Sequence, residues 1–89
     1  MKATFVNHSD PGHGWLEVDE MHLKQIGITA DVFSEYSYRN GRTLYLEEDC
    51  DASKFLILWK EKFGEYPQIL DRYHNRDFRE RFLLCGIHD

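Results

Sequence analysis

A short loop near the amino terminus is the first place where the sequence could support chemistry. His8, Asp10 and His13 fall within six residues, beside Gly12 and Gly14. Imidazole and carboxylate groups can bind a metal ion, or act as acid and base, when a flexible loop lets them converge. The spacing lacks the i, i+4 helical placement that aligns metalloprotease histidines. We therefore favour a turn in which Asp10 bonds local amides, with no catalytic residue, no metal and no other cofactor.

The densest charge cluster of the chain is acidic. Four carboxylates lie within five residues: Glu47, Glu48, Asp49 and Asp51. The cluster lacks the spaced ligands of a calcium loop. Because it falls where a strand is predicted to lead into a helix, Asp49 or Asp51 is expected to cap that helix. Glu47 and Glu48 point to opposite faces of the strand, so one of them is predicted to be displayed to a basic partner.

A β-hairpin is predicted in the middle of the chain, where Asn40 and Gly41 lie between alternating runs. A two-residue turn of the primed type needs positive φ at its centre, and both residue types tolerate it. A turn at these two residues pairs Tyr38 with Thr43 across the hairpin, and Tyr36 with Tyr45. The leucines of the second strand then face the core.

The same register predicts an aromatic patch on the sheet face away from the core, formed by Tyr36, Tyr38 and Tyr45. RNA-recognition domains stack bases on such a face, so one alternative function is a single-stranded nucleic-acid binding module. The basic and aromatic signature of those domains is missing, and 16 Asp and Glu outnumber 11 Lys and Arg. This acidity opposes direct DNA binding, which depends on neutralising phosphates, and favours a partner with a basic surface.

The chain is predicted to form one domain, because 89 residues bury a single modest core. The order of its predicted strands and helices is that of a small α+β fold. A first strand is followed by a short extended stretch at Trp15, a helix capped by Asp19, the hairpin, a helix that ends at Gly64, and a last strand. This resembles the ferredoxin-like βαββαβ order. We therefore predict an antiparallel sheet with two helices over residues 1–74 and a C-terminal extension over residues 75–89.

The predicted core combines strand and helix positions at the expected periods: Phe5, Leu44, Leu46, Phe55, Leu56 and Trp59. Ile57 projects away from this stripe and is predicted to contact a partner. Cys50 and Cys85 are predicted to be reduced thiols, with Cys50 buried at the entrance of the second helix. No apolar run reaches the ~20 residues of a membrane span or forms a signal peptide, which predicts a cytoplasmic protein without a membrane partner.

Three segments carry a resemblance to a known group of proteins: HSDPGHGWLEV at residues 8–18, YSY at residues 36–38 and YLEEDCDA at residues 45–52. The chain resembles small, uncharacterised bacterial proteins encoded on phages and other mobile elements, over about residues 4–63. The resemblance implies a genomic context and carries over no catalytic residue. From Glu65 onward the chain departs from the pattern.

These observations predict a small acidic binding protein, monomer or homodimer, that inhibits or modulates a host protein or nucleoprotein complex with a basic surface. An anti-CRISPR or other anti-defence inhibitor is its most concrete form. The predicted contacts are acidic, aromatic and apolar: Glu47, Glu48, Asp49, Asp51, Tyr36, Tyr38 and Ile57. The alternative from another class is a small metal-assisted hydrolase that uses His8, Asp10 and His13, although an enzyme is the less favoured interpretation.

Overall fold

The computed structural model describes residues 3–78 and 85–88, which form a small α+β domain with a six-stranded mixed sheet and two helices. The elements are β1 Thr4–Ser9, β2 Gly14–Asp19, α1 Glu20–Gln25, β3 Tyr38–Asn40, β4 Thr43–Glu47, α2 Asp51–Phe63, β5 Gln68–Tyr73 and β6 Cys85–Gly86, with a 3₁₀ turn at Ala30–Val32. The strand order across the sheet is β5-β1-β2-β4-β3-β6. Neither helix in these ranges has the length and apolar character that crossing a membrane requires.

The strand β2 is the main departure from the predicted element order. It pairs antiparallel with β1, where Val6 lies opposite Glu17, and with β4, where Val18 lies opposite Leu44. The stretch around Trp15 is thus a full strand inside the sheet. The ferredoxin-like βαββαβ order is not confirmed, because β2 precedes α1 and β6 follows β5.

The sheet is mixed because β5 pairs parallel with β1, with Phe5 opposite Ile69. Both β1 and β4 run antiparallel to β2, so they share one direction. The helix α2 leads from β4 to β5, and a strand that follows such a crossover returns in the direction of the strand before it. The predicted all-antiparallel sheet is therefore corrected at this one edge.

The hairpin between β3 and β4 has a different register from the predicted one. Tyr38 pairs with Tyr45 rather than with Thr43, because the two turn residues are Gly41 and Arg42. Gly41 has a φ of 63°, which suits the first central position of a primed turn. The register moves by two positions, which preserves the face of every side chain, so the leucines of β4 still face the core as predicted.

One face of the sheet packs against both helices. Phe5 makes edge-to-face contacts with Phe55 and Trp59 of α2, with ring centroids 5.4 and 5.1 Å apart. Five of the six predicted core residues are buried, namely Phe5, Leu44, Leu46, Phe55 and Trp59, whereas Leu56 is partly buried and packs against them. The β2 residues Leu16 and Val18 complete the centre of this cluster.

The described residues beyond position 74 are attached to the sheet. Phe78 is buried and stacks on His8, with ring centroids 4.6 Å apart. The strand β6 pairs with β3, and the buried Ile87 donates its backbone N–H to the carbonyl of Ser37 at 3.0 Å. The predicted division of the chain at residues 74 and 75 stays a prediction.

Replacing Phe55 by alanine tests the packing of α2 on the sheet. Phe55→Ala should lower the free energy of unfolding by about 3–5 kcal/mol, since the ring is fully buried and its loss leaves a cavity beside Phe5. Ile57→Ala is the matched control on the same helix and should change it by less than about 0.5 kcal/mol. Urea unfolding measures both, and similar losses would contradict the described orientation of α2.

Candidate partner-binding pocket

A pocket of about 470 Å³ lies where the turn between β1 and β2 meets the junction of β4 and α2. Its walls carry acidic and aromatic side chains: Glu47, Glu48, Asp49, His13, Trp15, Tyr36 and Tyr38. Five of the seven predicted contact residues are among them. We call this feature the acidic-aromatic pocket.

The strand pairing explains how residues distant in sequence reach the same pocket. Trp15 of β2 lies opposite Glu47 of β4, and the backbone N–H of Glu48 donates to the carbonyl of Gly14 at 3.0 Å. The rings of Trp15 and Tyr38 meet edge to face, 6.3 Å apart. The end of the central sheet therefore fixes one wall of the pocket.

The carboxylate of Glu47 has a structural role at the start of α2. It accepts backbone N–H groups from Asp49 at 3.1 Å and from Cys50 at 3.0 Å. The predicted capping by Asp49 or Asp51 is wrong, because the residue at the cap position is Cys50, whose side chain makes no capping hydrogen bond. Cys50 is exposed rather than buried, which corrects a second expectation for this junction.

Glu48 and Asp49 provide the accessible charge of the pocket. Both residues are exposed, and among residues 3–78 and 85–88 neither forms an ion pair. The carboxylate of Glu48 lies against the Cα atom of Gly14, in the space that a Cβ atom would occupy. The absence of a side chain at Gly14 thus makes room for a carboxylate at the pocket wall.

Asp51 is not a surface residue. It is 1% exposed, and its carboxylate accepts the backbone N–H of Ser34 at 3.0 Å and the hydroxyl of Ser34 at 2.7 Å. The hydroxyl of Ser37 donates to the same carboxylate. The prediction of Asp51 as a partner contact is therefore corrected, because its oxygens are enclosed and bonded inside the protein.

The hydroxyl of Ser37 connects this buried carboxylate to the pocket. While it donates to Asp51, it accepts the backbone N–H of Glu47 at 3.0 Å. Its two immediate neighbours in sequence, Tyr36 and Tyr38, line the pocket, and Tyr36 is 67% exposed. The segment from Tyr36 to Tyr38, which leads into β3, is therefore tied to both β4 and α2.

Two residues that the sequence analysis assigned to binding surfaces, Ile57 and Tyr45, are not among the residues that line the pocket. Ile57 is 52% exposed on α2, away from the pocket walls, so its predicted contact role stays a prediction. Tyr45 shares a sheet face with Tyr38, and its ring lies 5.4 Å from that of Phe78. Burial, together with the nearby charge of Glu17, raises the pKa of Tyr45.

The structure separates His8 from the other two residues of the predicted histidine loop. His8 lies in β1 and is buried, with Nε2 2.8 Å from Glu17 Oε1 and Nδ1 3.0 Å from His74 Nε2. Asp10 and His13 lie in the turn that follows, where His13 Nδ1 is 3.1 Å from Asp10 Oδ1. His8 therefore belongs to a hydrogen-bonded chain that joins Glu17 of β2 to His74, the residue after β5, and the sequence spacing does not indicate this chain.

Asp10 organises the turn between β1 and β2, as the sequence predicts, and also holds a distant residue. Its carboxylate accepts the backbone N–H groups of Gly12 at 3.0 Å and of Phe78 at 2.8 Å. Burial alone would raise the pKa of Asp10, but these hydrogen bonds and His13 outweigh burial and lower it. Ligand atoms of Asp10, His13 and Asp77 also lie within 4.8 Å of one another.

Comparisons of the chain with protein families, with curated proteins and with solved structures found no match. A candidate function therefore depends on the geometry of the pocket. The sequence pattern had singled out the acidic residues and the tyrosines that line the pocket. It did not indicate Trp15 or His13 as members, because they come from another strand and the turn before it.

Replacing Ser37 by alanine tests the link between the pocket and the buried carboxylate. Ser37→Ala removes one donor to the Asp51 carboxylate, which keeps its bonds from Ser34, and leaves the N–H of Glu47 without this acceptor. It should cost about 1–3 kcal/mol of unfolding free energy, as is usual for buried polar groups left unpaired. Ser53→Ala, at an exposed helix position, should be close to neutral. Equal midpoints for both variants in urea would rule out the link.

Replacing Asp10 by asparagine tests the lowered pKa. Because the pKa is lower in the folded chain, Asp10 contributes stability above its unfolded pKa, and this contribution is lost as pH falls through the folded pKa. Asp10→Asn should therefore be less stable at neutral pH and lose less stability between about pH 5 and pH 2 than the parent chain. Urea midpoints across this range, with exposed Asp31→Asn as control, measure the effect. Parallel curves for Asp10→Asn and the parent would contradict it.

Proposed function

We propose that this protein is a small acidic binding protein that inhibits or modulates a host macromolecule by docking on a basic surface. The observation that supports it is the acidic-aromatic pocket, which gathers carboxylates and aromatic rings from separate parts of the chain. Glu48 and Asp49 are exposed there, and no ion pair with a described residue competes for them. They are therefore available to cations of a partner.

The charge of the chain favours the same class of partner. The formal net charge is −5, which repels nucleic acid and attracts basic protein surfaces during diffusional encounter. Aromatic faces also attract cations, so the rings of Tyr36 and Tyr38 add to the pull of the carboxylates. A nucleic-acid binding face, in contrast, would need basic residues beside its tyrosines.

The resemblance to phage and mobile-element proteins gives this binding function its most concrete form. In that setting the partner is a basic channel or surface of a host defence complex, and the protein acts in the cytoplasm as an anti-CRISPR or other anti-defence inhibitor. A small acidic domain that occupies a nucleic-acid channel competes there with the natural polyanion. The proposal needs no catalytic residue and no cofactor.

A metal-assisted hydrolase is the second candidate, and the cluster of Asp10, His13 and Asp77 favours it. Two carboxylates and an imidazole suit a divalent cation. We rank it second because the Asp10 carboxylate already accepts two backbone N–H groups that hold the turn and Phe78. Elemental analysis of the purified and dialysed protein separates the two candidates.

A double substitution tests the proposed function. The protein is expressed in bacteria that carry one of a panel of defence systems, and the plating efficiency of a targeted phage is measured. The parent chain should restore plating against at least one system, and Glu48→Gln with Asp49→Asn should weaken this effect. Two surface charge pairs contribute about 1–2 kcal/mol together, so affinity for the defence complex that the parent chain inhibits should fall about 5–30-fold.

The matched control removes the same charge elsewhere, by Glu61→Gln with Glu65→Gln, two exposed positions outside the pocket. Both double variants must melt like the parent chain. Added salt should weaken host-complex binding by the parent chain and by the control variant. It should have a smaller effect on the variant that lacks the charges of Glu48 and Asp49. The proposal is wrong if no defence system is affected, or if both double variants behave alike.

A further inference from the structure

The indole N–H of Trp15 has no acceptor among the described residues. Trp15 is 2% exposed, and its Nε1 atom is buried with no partner in the part of the chain that the structure describes. Nearly all buried polar groups in native proteins are paired, and leaving one unpaired costs about 1–3 kcal/mol. Since Trp15 forms part of the pocket wall, a ligand that brings an acceptor oxygen would remove this cost.

The other walls of the pocket favour a flat cation. His13 stacks on Trp15, with ring centroids 5.2 Å apart and an angle of 24° between the planes. Tyr36 adds an exposed ring, while Glu48 and Asp49 supply carboxylates. A guanidinium group stacks on aromatic faces and donates two parallel hydrogen bonds to a carboxylate, whereas an ammonium group does neither as well.

These two requirements together define the ligand. A guanidinium group has only donors, so it cannot satisfy the N–H of Trp15. The acceptor must come from another part of the same ligand, and in a protein partner the nearest one is a main-chain carbonyl. We infer that the pocket binds an arginine residue within an extended peptide segment, with its guanidinium on Glu48 and Asp49 and a neighbouring carbonyl on Trp15 Nε1. This inference rests on the proposed function, because it names the group by which the basic partner is recognised.

Because the Nε1 atom is buried, the carbonyl reaches it only after a neighbouring side chain moves, and we expect His13 to be that side chain. Its side chain is 48% exposed and covers one face of Trp15. Rotation of this ring costs one hydrogen bond, between His13 Nδ1 and Asp10 Oδ1. The bond that the carbonyl makes with Trp15 replaces it, so the exchange is close to neutral and the arginine contacts decide the affinity.

The test uses the ¹⁵N-labelled full chain and a capped Gly-Arg-Gly peptide. The chain has two tryptophans, so its NMR spectrum contains two indole N–H signals, which the Trp59→Phe variant assigns. The arginine peptide should move the Trp15 signal downfield, because that N–H gains an acceptor, and should leave the Trp59 signal in place. Trp59 lines a different cavity and serves as an internal control.

Three further probes separate the parts of the inference. The same peptide with citrulline, which is neutral and of equal shape, should bind at least about tenfold more weakly, since it loses the charge-assisted bonds. The lysine peptide should also be weaker. Agmatine, which has a guanidinium but no peptide carbonyl, should bind without the downfield shift of Trp15.

The substitutions Glu48→Gln and Asp49→Asn should each reduce the affinity for the arginine peptide, and Glu61→Gln should not. No binding of the peptide, equal binding of the citrulline or lysine peptide, or an unmoved Trp15 signal at saturation would each overturn the inference. If the peptide does not bind while binding of the host complex still depends on Glu48 and Asp49, the proposed function stands without arginine recognition. If the peptide binds but plating does not respond to these residues, the proposed function fails instead.

Discussion

The buried carboxylate of Asp51 is the interaction on which the pocket depends. A carboxylate removed from water is costly unless its oxygens are bonded, and here Ser34 and Ser37 supply the donors. Through Ser37 the same group reaches the backbone of β4 and of Ile87. This point therefore holds together the start of α2, the segment from Tyr36 to Tyr38, the end of β4 and the residue after β6.

Local patterns in the sequence predicted the elements that depend on near neighbours. Asp19 caps α1 and α2 ends at Gly64, both as predicted, and Gly64 has the left-handed φ of 85° that is common after a helix. The stripe that contains Phe55 and Trp59 is buried, as its helical period predicts. These features follow from residues within about one turn or one strand of each other, and such interactions are visible in a linear sequence.

Features that depend on distant partners were not predicted. The stretch at Trp15 gives a short pattern, and its identity as a strand comes from pairing with both β1 and β4. Likewise, an acid at the start of a helix has the same sequence context whether it caps the helix or is buried. Only the two serines, 14 and 17 residues away, distinguish these roles for Asp51. The sequence therefore singled out the acids and tyrosines that line the pocket, but it predicted neither the pocket itself nor the presence of Trp15 and His13 in it.

The parallel pairing of β1 with β5 has a kinetic consequence. Thr4 and Gln68 are 64 residues apart, whereas the two hairpins join residues that are close in sequence. Hairpins form within about 1–10 μs, but long-range parallel pairing has a high contact order and is slow. Until α2 has formed and brought β5 back, the outer edge of β1 is open. An open edge accepts a strand from another molecule, so concentrated refolding favours exchange of β5 between two copies.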